Sequence, residues 1–154
     1  MIPTLYVMVG IPGSGKSTFI HKYLSNYKCV SRNIIRLLTI TDVDTYFAKE
    51  DIVFKQYIQE IKNTLTLGND VVADATHISG GSRRKLIHAL GKIDYNLVFI
   101  VMATDFKICN ERNNNRTGLA KVPQTAMDRM YSQFTYPRKE DFKNCKGVWI
   151  INGC

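Results

Sequence analysis

At 154 residues, with 45% hydrophobic and 22% charged residues, the chain has the make-up of one folded domain with a real core, not of a disordered tail. Its net charge of +8 favours polyanionic partners. No apolar run approaches the roughly 20 residues a membrane-spanning helix needs; the longest, Leu97–Ala103, suits a buried strand.

In chain order, Thr4–Val9 (TLYVMV) is a β-rich run ending in a glycine-rich turn, after which Phe19, Ile20, Tyr23 and Leu24 fall at helical spacing. Cys29–Ser31 reads as a short second strand, with Asn33 placed to cap the helix IIRLL that follows. A long helix is predicted over Ala48–Leu67, where Ile52, Tyr57, Ile61 and Leu65 keep a helical period and Gly68–Asp70 supplies the stop. Val71–Ala73 is a third strand. The stretch GGSRRKLIHALG reads as a loop, a helix capped by Ser82 and a stop at Gly91. Arg83, Arg84 and Lys85 are then a solvated helix start that extends the basic surface. Leu97–Ala103 is a central strand, followed by a helix beginning near Asp105. NERNNNRTGLAKV is too polar for core and predicts a mobile surface loop. Pro123 suits the first turn of a last helix, and Val148–Ile151 closes the series as a strand.

Short strands alternating with helices predict an α/β domain with a five-stranded parallel sheet covered on both faces. No repeat or linker divides residues 1–154. Such sheets place ligands at the carboxyl ends of their strands, which gathers the turn after Val9, SRN, DAT and the segment after Ala103 on one edge. Cys29, Cys109, Cys145 and Cys154 form neither a CxxC pair nor a dense framework, so reduced thiols are expected. His21, His77 and His88 add no metal-ligand spacing. With no leader pattern after Met1, the expected location is cytoplasmic.

Gly10–Thr18, GIPGSGKST, contains G-x-x-x-x-G-K-S between a predicted strand and a predicted helix. Glycines allow the backbone to turn sharply and approach an anion, and the N–H groups at the helix start converge on phosphate. Gly10, Pro12, Gly13, Ser14, Gly15, Lys16, Ser17 and Thr18 are therefore the candidate nucleotide-binding loop. Lys16 supplies a charge to the β/γ phosphates, and the Ser17 hydroxyl is a ligand for Mg²⁺. The pattern calls for a nucleoside triphosphate. No Asn-Lys-x-Asp motif marks a GTP switch, and the chain is short for a motor, so a small kinase is the economical reading.

Taken together with VSRNIIR, VVADATH and ERNNNRTGLAKVPQTAMDRMY, the loop makes the chain resemble the kinase domain of the phage-type polynucleotide 5′-kinases. The resemblance covers essentially that whole domain. It implies a P-loop kinase fold with a lid near Arg112–Val122, ATP and Mg²⁺ as cofactors, and a single-stranded DNA or RNA 5′-hydroxyl end as acceptor. It matches Lys16 and Ser17 to the P-loop lysine and metal-site serine, and Arg36 to the arginine holding the acceptor's terminal phosphate. Asp74 falls on the acid after the third strand, and Arg112 and Arg116 on the lid arginines; Thr76 is a candidate for touching the substrate, with shaping of the loop as the alternative. From the residues alone, Arg112 and Arg116 stand one helical turn apart, positioned to face one phosphate; an exposed basic helix end is the alternative. Arg36 also reads as a solvated helix arginine, and Asp74 as a turn aspartate. His77 stands where the family usually has Asn.

Asn33 is the departure, because the family's general base at that position is aspartate. An amide hydrogen-bonds a hydroxyl but has no useful basicity. Three explanations fit: a weak or inactive natural protein, proton acceptance by Asp42 or Asp44, or replacement of an aspartate to arrest the enzyme. The intact remainder of the site favours the third. A small-metabolite or nucleoside kinase of the same fold, or a non-catalytic ATP- or nucleic-acid-binding module, are the alternatives to a polynucleotide kinase.

Overall fold

The computed structural model describes residues 1–39 and 49–152. Five strands, β1 (Thr4–Val9), β2 (Lys28–Ser31), β3 (Val71–Asp74), β4 (Asn96–Met102) and β5 (Cys145–Ile151), form one all-parallel sheet in the order β2-β3-β1-β4-β5. Among the described residues the α-helices are α1 (Lys16–Tyr23), α2 (Arg32–Thr39), α3 (Glu50–Thr66), α4 (Gly80–Leu90), α5 (Phe106–Asn114) and α6 (Gln124–Gln133). The predicted α/β class, the five strands and their parallel sense are thus all present. β5 starts three residues earlier than expected and carries an extra residue, Lys146, where its pairing shifts between Leu97–Cys145 and Val98–Gly147.

β1 lies at the centre because both of its faces are apolar. Leu5, Val7 and Val9 pack with Val53, Tyr57, Ile61 and Leu65 of α3 and with Leu86 and Leu90 of α4. Met8 faces the opposite way, under Ile20 of α1 and Leu24 just beyond its end, with Val72, Ile100 and Met102 beside it. A third cluster, Ile11, Ile78, Cys109 and Met127, docks α5 and α6 against the turn that follows β1. Burying these side chains contributes on the order of 1.5–3 kcal/mol each.

Four local expectations are corrected. The hydroxyl accepting from the Ile34 N–H at the start of α2 belongs to Ser31, 3.3 Å away, and Asn33 lies already inside the helix. Ser79, not Ser82, caps α4: its hydroxyl accepts from the Ser82 N–H, and the Ser82 hydroxyl returns to the Ser79 backbone. In α3 the buried stripe runs Val53, Tyr57, Ile61 and Leu65, and Ile52, expected at its start, is exposed. The polar tract from Asn110 is helical as far as Asn114, and only the residues after it loop out.

Candidate active site

The turn after β1 is held in shape by its neighbours. Gly13 and Gly15 have φ of 83° and 97°, a left-handed region that costs side-chain-bearing residues about 1–2 kcal/mol. At Gly13 a Cβ would also sit 2.6 Å from the Cys109 carbonyl oxygen, so α5 packs directly on the bare backbone. The Gly10 N–H donates to the Thr76 carbonyl at 2.9 Å, and the Thr104 hydroxyl donates to the Ser14 carbonyl at 2.6 Å. Arg112 Nη1 donates to the Gly13 carbonyl at 3.0 Å. α1 then begins at Lys16, aiming its first N–H groups into the turn.

Lys16 Nζ donates to the Gly10 and Ile11 carbonyls at 2.6 and 3.1 Å. Burial pushes its pKa down to about 8, opposed by the Asp74 charge. Asp74, at the end of β3, is pushed up by burial, with Lys16 pulling the other way. The cleft over this turn has a volume of about 1020 Å³, and its walls include Pro12, Thr18, Thr76, Asn33, Arg36, Arg112 and Arg116. Every position predicted for the site from Pro12 onward therefore meets in one cavity, with Gly10 buried beneath it. Asp42 and Asp44 lie outside the described residues.

Across the cleft from Lys16, the start of α2 is organised by a residue the sequence reading missed. Glu50, the first residue of α3, accepts from Arg36 Nε and, at 3.1 Å, from Arg36 Nη2, and from Arg32 Nη2 at 3.0 Å. Burial alone would raise the Glu50 carboxyl, but the Arg36 hydrogen bond and the two guanidinium charges outweigh it and hold it below the usual range. Arg36 Nη1 in turn donates to Asn33 Oδ1 at 2.5 Å. Arg32 and Lys85 both lie over the ring of Phe54, which lines the same wall.

His77, which lines the cleft, and Arg83 together hold the loop after β3. His77 is buried with φ of 45°. Its Nδ1 faces the Met8 carbonyl at 2.8 Å and therefore carries the proton, leaving Nε2 to accept from the Tyr57 hydroxyl at 3.2 Å. Burial pushes its pKa down to about 4, which keeps the ring neutral. Arg83 is 2% exposed, against the solvated position expected, and donates to the His77 carbonyl and to the Thr135 carbonyl and hydroxyl.

On the third side, Arg112 lies within α5 while Arg116 falls beyond its end, so one continuous helix does not carry both. The Arg116 N–H still closes a turn onto the Asn113 carbonyl at 3.0 Å, and both arginines line the cleft. Asn113, 1% exposed, accepts from the Val122 N–H at 2.9 Å and donates to the Val122 carbonyl at 2.7 Å, closing the lid loop at its base. A buried Asn inside a polar tract leaves no periodic signal, which is why that helix end was read as loop.

Among the described residues no group of three or more His, Cys, Asp and Glu side chains could hold a metal alone. Ser17 and Asp74 border both the main cleft and an adjoining groove of about 320 Å³. That sparse oxygen set fits Mg²⁺, which keeps several waters and takes much of its coordination from substrate phosphates.

A family model described as an AAA domain, AAA_33, matches residues 5–137. The chain belongs to this family. Among solved structures, the AAA_33 chain is similar to a component of the Pnkp1/Rnl/Hen1 RNA repair complex, with 26% identity and a TM-score of 0.74. That match covers 93% of this chain and 47% of the other, so the AAA_33 chain spans about half of that component. A fungal RNA kinase matches at 13% identity and a TM-score of 0.66, covering 100% of this chain and 77% of the other. A gluconokinase from Sinorhizobium meliloti 1021 matches at 19% identity and a TM-score of 0.57, covering 99% and 84%. The fold is that of the P-loop kinases, a nucleotide-binding phosphotransferase fold shared by enzymes with different acceptors. Among the described residues no helix is long and apolar enough to cross a membrane.

Proposed function

We propose that this AAA_33 domain transfers the γ-phosphoryl group of ATP, with Mg²⁺, to the 5′-hydroxyl end of single-stranded DNA or RNA, and that Asn33 slows or arrests the step. The observation that carries the reading is the charge of the cleft opposite the phosphate turn. Arg32, Arg36 and Lys85 line that wall in addition to Lys16, Arg112 and Arg116, and among the described residues Asp74 is the only carboxylate lining the cleft. A triphosphate alone does not need the second set of cations; an acceptor that is itself a polyanion does. The RNA repair complex and the RNA kinase among the structural neighbours agree with that acceptor, while the gluconokinase speaks for a small-metabolite acceptor on the same fold.

In the reaction, the acceptor oxygen forms its bond to the γ-phosphorus as the bond to ADP breaks, and the hydroxyl proton passes to water or to a phosphate oxygen. Lys16 and the backbone of Gly13–Lys16 hold the phosphate chain, and Arg112 and Arg116 are placed to balance charge moving onto the leaving group. Ser17 would hold Mg²⁺ directly and Asp74 through water; the ion's contribution is to neutralise phosphate charge. Asn33 orients the acceptor hydroxyl without taking its proton. That neutral amide favours a second reading, a binding module that no longer transfers phosphate.

Transfer of labelled γ-phosphate from ATP to a 5′-hydroxyl oligonucleotide tests the proposal. The Asn33→Asp variant is expected to be faster by about 10²–10⁴. Equal rates would move the proton acceptor elsewhere, with Asp42 or Asp44 next to be changed. No labelling by either form while ATP still binds would reject a polynucleotide acceptor.

A further inference from the structure

Arg83 and Thr135 lie outside the cleft yet join two segments that run into it. Arg83 of α4 donates from Nη1 to the His77 carbonyl at 2.8 Å and to the Thr135 carbonyl at 3.1 Å. Its Nη2 donates to the Thr135 hydroxyl at 2.8 Å. The Thr135 N–H in turn donates to the Ile78 carbonyl at 2.8 Å. These bonds fasten the segment after α6 to the loop after β3.

The loop carries Asp74, Thr76 and His77, all of which line the cleft, and the Thr76 carbonyl accepts from Gly10 of the phosphate turn. His77 holds a left-handed backbone, φ 45°, that a side chain disfavours. Strain of that kind persists only where the surroundings over-determine it, and it gathers at working sites. Met8 and Tyr57 fix the His77 ring, and Arg83 fixes its carbonyl. The other segment belongs to the lid. From Val122, stapled to Asn113, the chain continues into α6, whose Met127 packs with Ile11, Ile78 and Cys109. The lid therefore has two roots: α5, seated on the phosphate turn at Gly13, and α6, seated on the loop after β3 through Arg83.

Among the described residues no carboxylate forms an ion pair with Arg83, although the side chain is almost fully buried. Joining two segments does not by itself call for a buried charge, and burying one among neutral partners is costly. What a guanidinium adds is a rigid fork whose donors reach both segments at fixed angles. It sets their register, which a flexible ammonium or an apolar side chain would not.

Resting on the assignment of Arg116 to the triphosphate in the function proposed above, we infer that Arg83 is a positioning residue for ATP. It holds the second root of the lid in register with the loop that carries Asp74 and Thr76, and so places Arg116 against the phosphates held by Lys16. Arg83 touches no substrate; its effect passes through α6 and the lid.

Calorimetric titration with ATP and Mg²⁺ tests this on four proteins: the chain as it stands, Arg83→Met, Arg116→Ala and the double variant. Arg83→Met should weaken ATP binding by roughly 2–30-fold, the range for changes that modulate a site they do not touch. In the Arg116→Ala background the same change should add nothing. The stoichiometry of each titration counts the folded protein, so partial unfolding does not enter the affinity. Thr135→Val and Thr135→Ser form a milder pair should Arg83→Met fail to fold, since the first removes the hydroxyl that Arg83 bonds and the second keeps it. Thr135→Val should weaken ATP binding while Thr135→Ser matches the parent. An unchanged affinity in Arg83→Met, or in Thr135→Val where Arg83→Met does not fold, overturns the inference. So does an equal loss with and without Arg116, which would put the effect somewhere other than the lid. Failure of the parent to bind ATP overturns the nucleotide reading and the inference together. ATP binding without labelling of an oligonucleotide removes the acceptor alone and leaves the four-protein comparison decisive.

Discussion

The two ends of the cleft are built by opposite means. At the phosphate turn the working groups are largely backbone, fixed by neighbours that pack on it: Cys109 against Gly13, Thr104 on Ser14, Thr76 on Gly10. At the acceptor wall they are long side chains from α2, α3 and α4, aligned by one carboxylate and one ring. The first design ties binding to fold stability, because a change to the turn strains the backbone itself. The second lets the acceptor preference change with little effect on the fold.

The sharpest separation is expected in kinetics. In the Asn33→Asp protein, Arg116→Ala should lower kcat by about 10³–10⁵, as loss of a charge-stabilising arginine does in phosphoryl transfer. Arg36→Ala should instead act mainly on the acceptor KM. Steady-state rates over both substrates check this, and a common effect of the two changes on kcat alone would erase the distinction.

Stability gives the next contrast. Gly13→Ala combines a left-handed backbone with a Cβ pressed on the Cys109 carbonyl, and should cost roughly 2–5 kcal/mol in urea unfolding. Asn33→Asp, exposed in the first turn of α2, should stay within about 0.5 kcal/mol of the parent.

The loop after β3 serves both ends, and His77 pins it. Its pKa falls from an ordinary 6.5 to about 4 in the folded chain, so the unfolded chain takes up the proton first. The His77 contribution is complete above about pH 6.5 and is lost as pH falls toward about 4, a change on the order of 3 kcal/mol. Urea midpoints of the chain and of His77→Asn, compared across that range, should converge at the acid end.

The smallest effect belongs to Lys16. With a pKa near 8 it is about half charged at pH 8, and a bound phosphate chain restores the full charge. ATP binding should therefore take up roughly half a proton at pH 8 and almost none at pH 6.5. Calorimetry in buffers of different ionisation enthalpy reads this directly.

The same contrast explains what could be read from the sequence. GIPGSGKST was legible because a turn made of backbone writes its needs into consecutive residues, and the strands were legible because burial on both faces leaves unbroken apolar runs such as LVFIVM. Asn33 and Arg36 were found because VSRNIIR resembles a family motif that holds both positions within one short stretch. Glu50 was not, since it reaches Arg36 from 14 residues away on another helix. Arg83 looked solvated because its partners, the His77 carbonyl and Thr135, sit in segments with no pattern pointing to it. Ser79 lost to Ser82 as the predicted cap because both are serines and the box uses both.

The amide of Asn113 makes the lid an exchangeable part. Its two bonds to Val122 bring the ends of residues 114–121 together regardless of what lies between them. Residues 117–120 are exposed, so their length and composition are free to drift. Doubling such a loop costs only about 0.6 kcal/mol in closure entropy. A lineage with this staple can try new covers over the same phosphate chain, lengthening or recharging the flap, while the sheet and its core stay as they are.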